Sequence, residues 1–224
     1  MIGNILVAGA TGRTGIQIVN QLLQHGYQPR VLVRNLSAAH KLWDDRVNYH
    51  QGDVRQMHDL IEPMRDIDIV ISAVGAGSPV GKNCPYRVDF KGIANLVKSA
   101  EIQNVKRFIL ISSIAVTHPN HPLNCFGKVL DWKLKGEEVL RNSSLEYAII
   151  RPGGLKNTPG GKQNLLFDQG DRIMGTISRE DVAEICIQAL FYPDQLRHTF
   201  EVIDKDQKRE YLNWNALFTS LTLD

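Results

Sequence analysis

The apolar run Ile5-Leu6-Val7-Ala8 leads directly into Gly9-Ala10-Thr11-Gly12-Arg13-Thr14-Gly15, and few folds accommodate that order. Four apolar residues bounded by a glycine suit a short buried strand. Ile16, Ile18, Val19, Leu22 and Leu23 then recur close to helical spacing until Gly26 ends the pattern. Between strand and helix, Gly9 permits a tight turn, Gly12 leaves the backbone bare for a ligand, and Gly15 lets the helix pack closely on the strand. Free N–H groups and the positive end of a helix dipole meet at such a point and favour a phosphate. Thr11 and Thr14 can add hydroxyl donors. A glycine pattern alone is weak evidence, but directly after the first buried strand it reads as a dinucleotide-binding turn.

The rest of the chain repeats the same alternation. Strands are expected at Arg30–Arg34, Val47–Gln51, Ile67–Ser72, Arg107–Ser112, Tyr147–Ile150 and Thr199–Ile203. Helices are expected near Met57–Met64 and over Val88–Ala100, Lys128–Asn142, Ser178–Leu190 and Leu212–Leu221. Ser178 followed by Asp181 approximates a capping box. Continuous apolar strands alternating with helices suit a parallel sheet covered on both faces. The fold class is therefore α/β: one doubly wound Rossmann-type domain over residues 1–224, with the pocket shaped by loops and the part from about 152 onward. Asn157–Asn164, which carries Gly160-Gly161, is the one long flexible-looking loop, placed where parallel sheets bind ligands.

Bulk properties narrow the function classes. A net charge of +2, with no basic stripe, argues against nucleic-acid binding. Cys84, Cys125 and Cys186 have neither disulfide-framework nor zinc-site spacing, and His118 and His121 share a loop without nearby carboxylates or thiols, so no metal is expected. No apolar run has the length of a membrane span. Met1 leads almost straight into the first strand, so a cytoplasmic location is expected, or an organellar stroma if a transit peptide has been removed.

The second strand indicates which dinucleotide is preferred. An NAD site usually ends that strand in Asp or Glu, accepting from the ribose 2′-hydroxyl. Here it ends Val33-Arg34-Asn35. A guanidinium there suits a 2′-phosphate, and Arg13 is expected to reach the same phosphate, so the expected cofactor is NADP(H). Asp53, with Val54 beside it, reads either as an acceptor for the adenine amino group or as a turn residue. Ala73-Val74-Gly75 ends the fourth strand with small residues that let the cofactor pass.

These features together resemble the atypical short-chain dehydrogenase/reductase superfamily, and within it the small NAD(P)H-binding, NmrA-like branch that includes the flavin-reducing biliverdin reductase B. The resemblance spans essentially the whole chain. It rests on Gly9 to Gly15, Gly52-Asp53, Ser112-Ser113, the Lys133 to Leu140 helix, Arg151-Pro152-Gly153-Gly154 and Ile177-Ser178-Arg179-Glu180-Asp181-Val182-Ala183. It implies that Ser113, with Ser112 as its neighbour, faces the nicotinamide or substrate, that Lys133 holds the nicotinamide ribose, and that main chain at Pro152, Gly153 and Gly154 runs along the nicotinamide. Ser113 and Lys133 would then be the catalytic pair. Typical members also carry a tyrosine four residues before the lysine, as general acid or base. Val129 stands there, and valine donates no proton. Asp131 and Tyr86 are the remaining candidates for that role, with surface charge and ordinary packing as their plainer readings.

The resemblance therefore implies an NADPH-dependent reductase whose acceptor, a flavin, quinone or other conjugated small molecule, takes its proton from solvent. The alternative is a non-catalytic NADPH-sensing or assembly protein with a protein partner, for which Trp214, Leu217 and Phe218 could form a face, although such a stripe more often packs a core. Monomer and homodimer both remain open. A sugar-nucleotide epimerase normally keeps the tyrosine and carries a larger C-terminal part, so that reading is weaker.

Overall fold

In the computed structural model, which describes residues 2–192, 197–209 and 211–224, apolar alternation places the strands between two layers of helices. The elements are β1 Ile5–Ala8, α1 Arg13–Gln24, β2 Arg30–Val33, α2 Leu36–Trp43, β3 Asn48–Gln51, α3 His58–Ile61, β4 Ile69–Ser72, α4 Ile93–Ile102, β5 Arg107–Ile111 and α5 Val129–Arg141. They continue as β6 Glu146–Pro152, β7 Gly154–Lys156, β8 Gln163–Asp168, β9 Thr176–Ser178, α6 Arg179–Phe191, β10 His198–Lys208 and α7 Trp214–Thr219.

The main sheet has the order β3-β2-β1-β4-β5-β6-β10-β8. Its pairs are parallel except β10 with β8. Because side chains alternate along a strand, Ile5 and Val7 pack with Ile18, Val19 and Leu22 of α1 on one face, while Leu6 and Ala8 pack with Leu60 and Leu96 on the other. Both faces are thus dry, which is why the strands read as unbroken apolar runs. The order of β3 to β6 makes this the doubly wound Rossmann arrangement, whose direction reverses between β1 and β4. The carboxyl ends of those two strands flank the glycine turn.

Several elements depart from the sequence expectation. The helix near Met57–Met64 forms only over His58–Ile61. The expected helix start at Val88 is a π-helical turn, Tyr86–Gly92, leading into α4. The last strand runs five residues beyond Ile203 because β8 turns back to pair with it. The Asn157–Asn164 segment is pinned: Gly160 N–H donates to Glu180 Oε2 at 2.8 Å and Gly161 N–H to Asp181 Oδ1 at 2.8 Å. Asp181 is therefore occupied by that loop, and Ser178 caps α6 by accepting from Glu180 N–H at 3.1 Å, without a reciprocal box. Phe218 of α7 stacks on Tyr192 and meets Phe167 and Phe200 edge-on, and Trp214 packs against the same core, so these two residues of the C-terminal stripe serve packing. Among the described residues, no helix is long and apolar enough to cross a membrane.

Candidate active site

The turn after β1 is built as its glycines require. Gly9 sits at φ +77, and a Cβ there would lie 2.7 Å from the Ala73 backbone. A Cβ on Gly15 would lie 2.2 Å from Gly9 O, so α1 can start only this close to β1 with glycine at 15. Gly12 caps α1 in an extended conformation and donates its N–H to Gly9 O at 3.0 Å.

In front of the turn lies a cavity of about 240 Å³. Of the residues singled out from sequence, Gly9, Thr11, Gly12, Arg34, Asp53, Val54, Ala73, Val74 and Gly75 line it. Thr14 and Gly15 are buried beneath it, where they shape the turn. A dinucleotide fits this cradle by two tests. The open space begins where Gly12 has no side chain, and cations stand at the far end of β2.

The cationic end contains a residue that the sequence did not single out. Arg34 Nη1 donates to Asn83 Oδ1 at 3.1 Å, and Arg55 Nη1 donates to the same oxygen at 3.0 Å and to Lys82 O at 2.6 Å. Two guanidinium groups thus converge on one amide oxygen beside the cavity. Asp53 holds Arg55 through both carboxylate oxygens. Hydrogen bonding from Arg55 keeps the Asp53 carboxyl below the usual range despite partial burial. The carboxylate that sequence offered to adenine is therefore engaged as a turn staple. Arg13 is not in this group: it lines a second cavity with Arg179, on the other side of the α1 start. Neither the Arg55–Asn83 meeting nor the separation of Arg13 from Arg34 has a local sequence signal, since each depends on loops joining distant strands.

Further along the strand ends, Lys133 and Ser112 share a narrow crevice with Val74, Asp89, Ile93, Leu110 and Ile111. Gly136, one turn after Lys133, makes this possible: a Cβ there would lie 2.5 Å from Asp89 O, so its absence lets α5 press onto the π-helical turn. Lys133 Nζ then lies 2.8 Å from Asp89 Oδ1, off the direction of an aligned hydrogen bond, while Asp89 Oδ2 accepts from Ala76 N–H at 3.1 Å. Asp89 is 1% exposed, so the lysine beside it is what makes its charge tolerable there. Ser112 Oγ is buried with no protein hydrogen-bond partner among the described residues. Ser113 follows it, half-buried.

The segment after these serines is held in a strained form. Ala115 has φ 64, and Asp171 Oδ1 fixes it by accepting Ala115 N–H at 2.6 Å, with Oδ2 accepting from Thr117 N–H at 2.8 Å. Val129 packs against Ala115, Val116 and Leu130, so an aliphatic group occupies the helix turn above Lys133. Asp131 accepts from Asn124 Nδ2 at 2.8 Å and is a loop anchor. The Tyr86 ring lies 4.9 Å from that of Trp132, edge-on, in an aromatic cluster with Phe90. Pro152 and Gly153 are buried, and Gly153 N–H and Gly154 N–H already donate to Val202 O at 2.9 Å and Gly175 O at 2.8 Å. Those N–H groups serve the sheets, and Pro152 O likewise accepts from Ile114 N–H at 3.1 Å.

Comparison with known proteins identifies the family and the fold. A family model described as NAD(P)H-binding matches residues 9–193. An uncharacterized chloroplastic protein of Arabidopsis thaliana is 33% identical over 222 residues, covering 92% of this chain and 79% of the relative. Sanguinarine reductase of Eschscholzia californica is 29% identical over 262 residues, covering 97% and 96% of the two chains. Among solved structures, the anaerobillin reductase ChuY of Escherichia coli O157:H7 shares the fold with a TM-score of 0.78, at 24% identity over 92% of this chain and 100% of the other.

Proposed function

The chain belongs to the NAD(P)H-binding family, and from that premise we propose that it is an NADPH-dependent reductase of a flat conjugated acceptor such as a flavin or quinone. The observation that carries the reading is the Lys133–Ser112 crevice. Its polar groups are an ammonium neutralised by Asp89 and a free hydroxyl, and an aliphatic side chain stands where the superfamily keeps its proton donor. An acceptor that needs no enzymic acid suits such a site. NADPH, when bound, supplies the hydride. The glycine turn would hold the pyrophosphate, Lys133 the nicotinamide ribose, and Ser112 or Ser113 the acceptor. The acceptor's proton would come from solvent.

Steady-state NADPH oxidation tests this with flavins and quinones against simple aldehydes and ketones. Turnover with the first group and none with the second is expected. Tight NADPH binding with no turnover across the whole panel would transfer the protein to the sensing or assembly reading. Location is proposed as a reducing compartment, cytoplasm or organellar stroma, the second favoured by the chloroplastic relative.

The preference for NADPH rests on Arg34 and Arg55. A charge-assisted hydrogen bond to phosphate contributes about 1.5–3 kcal/mol. Arg34→Ala should therefore weaken NADPH binding about 10- to 100-fold, and the Arg34→Ala/Arg55→Ala double variant further, while NADH affinity changes less than about twofold. Equal losses for both nucleotides, measured by fluorescence titration, would show that these arginines do not read the 2′-phosphate.

A further inference from the structure

The second cavity, about 280 Å³, opens where the N-termini of α1 and α6 come together, and Arg13 and Arg179 both line it. Arg179 is 9% exposed. Its Nη1 donates to Leu155 O at 3.0 Å and Asn157 Oδ1 at 2.7 Å, both neutral acceptors. Among the described residues, neither arginine forms an ion pair. Burial, and then the charge of Arg13, lower the Arg179 pKa, so the two cations sense each other. Glu180 also lines the cavity, but its Oε2 is turned to Gly160 N–H at 2.8 Å.

A buried guanidinium held beside a like charge, without a counter-ion, costs free energy that a bound anion would return. The N-terminus of the 12-residue α1, which has no acidic residue in its first turn, adds to the same positive field, whereas Glu180 and Asp181 stand in the first turn of α6. Planar guanidinium groups suit phosphate oxygens in particular. We propose that Arg13 and Arg179 form a phosphate-class anion site, distinct from the Arg34–Arg55 end of the main cavity. Two sources offer such a group: the terminal phosphate of a phosphorylated acceptor such as FMN, or the pyrophosphate of the dinucleotide itself. The acceptor source rests on the reductase reading. The binding measurements do not, so failure of one is separable from failure of the other.

The test is calorimetric binding of inorganic pyrophosphate, FMN, riboflavin, NADPH and NADH to the full chain and to Arg13→Gln and Arg13→Gln/Arg179→Gln variants. Arg13 is exposed, so Arg13→Gln keeps the test readable even if the double variant folds poorly. Loss of about tenfold in FMN affinity, with riboflavin and both nucleotides unchanged, establishes the acceptor source. Equal losses of about tenfold for NADPH and NADH, with FMN unchanged, establish the pyrophosphate source. Pyrophosphate itself should weaken in either case. Glu180→Gln should tighten every anion that the site takes. The proposal is overturned if all five probes bind both variants as they bind the parent. It is equally overturned if Arg13→Gln weakens NADPH alone, because the arginine would then be reading the 2′-phosphate.

Discussion

Replacing Gly15 by alanine is expected to cost the protein both stability and cofactor, whereas replacing Gly12 should cost the cofactor alone. The Gly15 methyl would lie 2.2 Å from Gly9 O and 2.8 Å from Ala10 O. Both neighbours are backbone, so no rotamer change relieves the clash and the turn itself must open. Overpacking of this kind costs about 1–3 kcal/mol, and a backbone clash belongs at the upper end. For a chain of this size that lowers the melting temperature by about 6–12 °C. At Gly12 the nearest atom is Gly9 O at 3.2 Å, and φ is −73, which alanine adopts freely. The unliganded Gly12→Ala variant should melt within about 4 °C of the parent, because Gly9 O need give way by only a few tenths of an ångström, at a cost of about 1 kcal/mol. Its methyl, however, fills the space through which a phosphate would approach the N–H groups, and NADPH affinity should fall at least about 100-fold. Thermal melts with and without NADPH separate the two effects. A Gly12→Ala variant that binds NADPH normally would show that the phosphate does not lie on this turn.

That contrast also shows what the residues made legible. The β1–turn–α1 unit could be read because its signals are local: an apolar run, three glycines at fixed spacing and a helical period. The parallel sheet followed from strands such as Ile69–Ser72 and Arg107–Ile111, which are apolar on both faces because both are covered. What escaped depends on partners. Strand β8 is amphipathic at best, and it exists because β10 extends far enough to pair with it. The 7-residue π-helical turn before α4 has no signature in its own residues. Its wider winding goes with Asp89 reaching Lys133 and Ala76 at once, and such turns recur at functional sites.

The site divides in the same way. Arg34 was visible because it ends a strand where chemistry differs between the two dinucleotides. Arg55 was not, because its place beside Arg34 is fixed by Asn83, which arrives on the loop after β4. Arg13 shows the opposite difficulty: its position in the glycine turn is certain, but the direction of a long exposed side chain is set by what it packs beside. Asp89, the partner of Lys133, lay inside an expected helix and carried no sign that its carboxylate would be buried. Val129 was legible from sequence alone, and on the proposed reductase reading it is the residue that most restricts the chemistry.

Removing Arg151 is the other change expected to have a large effect, and it acts from beneath the site. Arg151 Nη2 lies 2.7 Å from Glu137 Oε2, and Nη1 lies 3.2 Å from Glu201 Oε1; both carboxylates are 0% exposed. Glu201 Oε2 in turn accepts Asp171 N–H at 2.8 Å, and Asp171 is the residue that holds Ala115 in its left-handed conformation. The network therefore links the core to the segment that follows Ser112 and Ser113. Arg151→Met leaves two buried carboxylates, of which Glu137 keeps Arg141 at 2.8 Å while Glu201 keeps only the Asp171 N–H and no cation. Breaking a buried pair by removing one partner costs about 3–5 kcal/mol, or about 6–20 °C in melting temperature. Removing the acids with the cation, as Glu137→Gln/Arg151→Met/Glu201→Gln, should recover much of that loss. The sign of the pH dependence follows from Glu201, whose carboxyl burial already pushes above its ordinary value. Without Arg151 that elevation grows, so the folded protein holds a proton that the unfolded chain releases above the ordinary carboxyl range. Stability of the single variant should then rise as pH falls from neutrality toward 5 or so, and the deficit against the parent should narrow. A deficit that is constant across that window, or a triple variant no more stable than the single one, would mean that the network's charges do not set its cost.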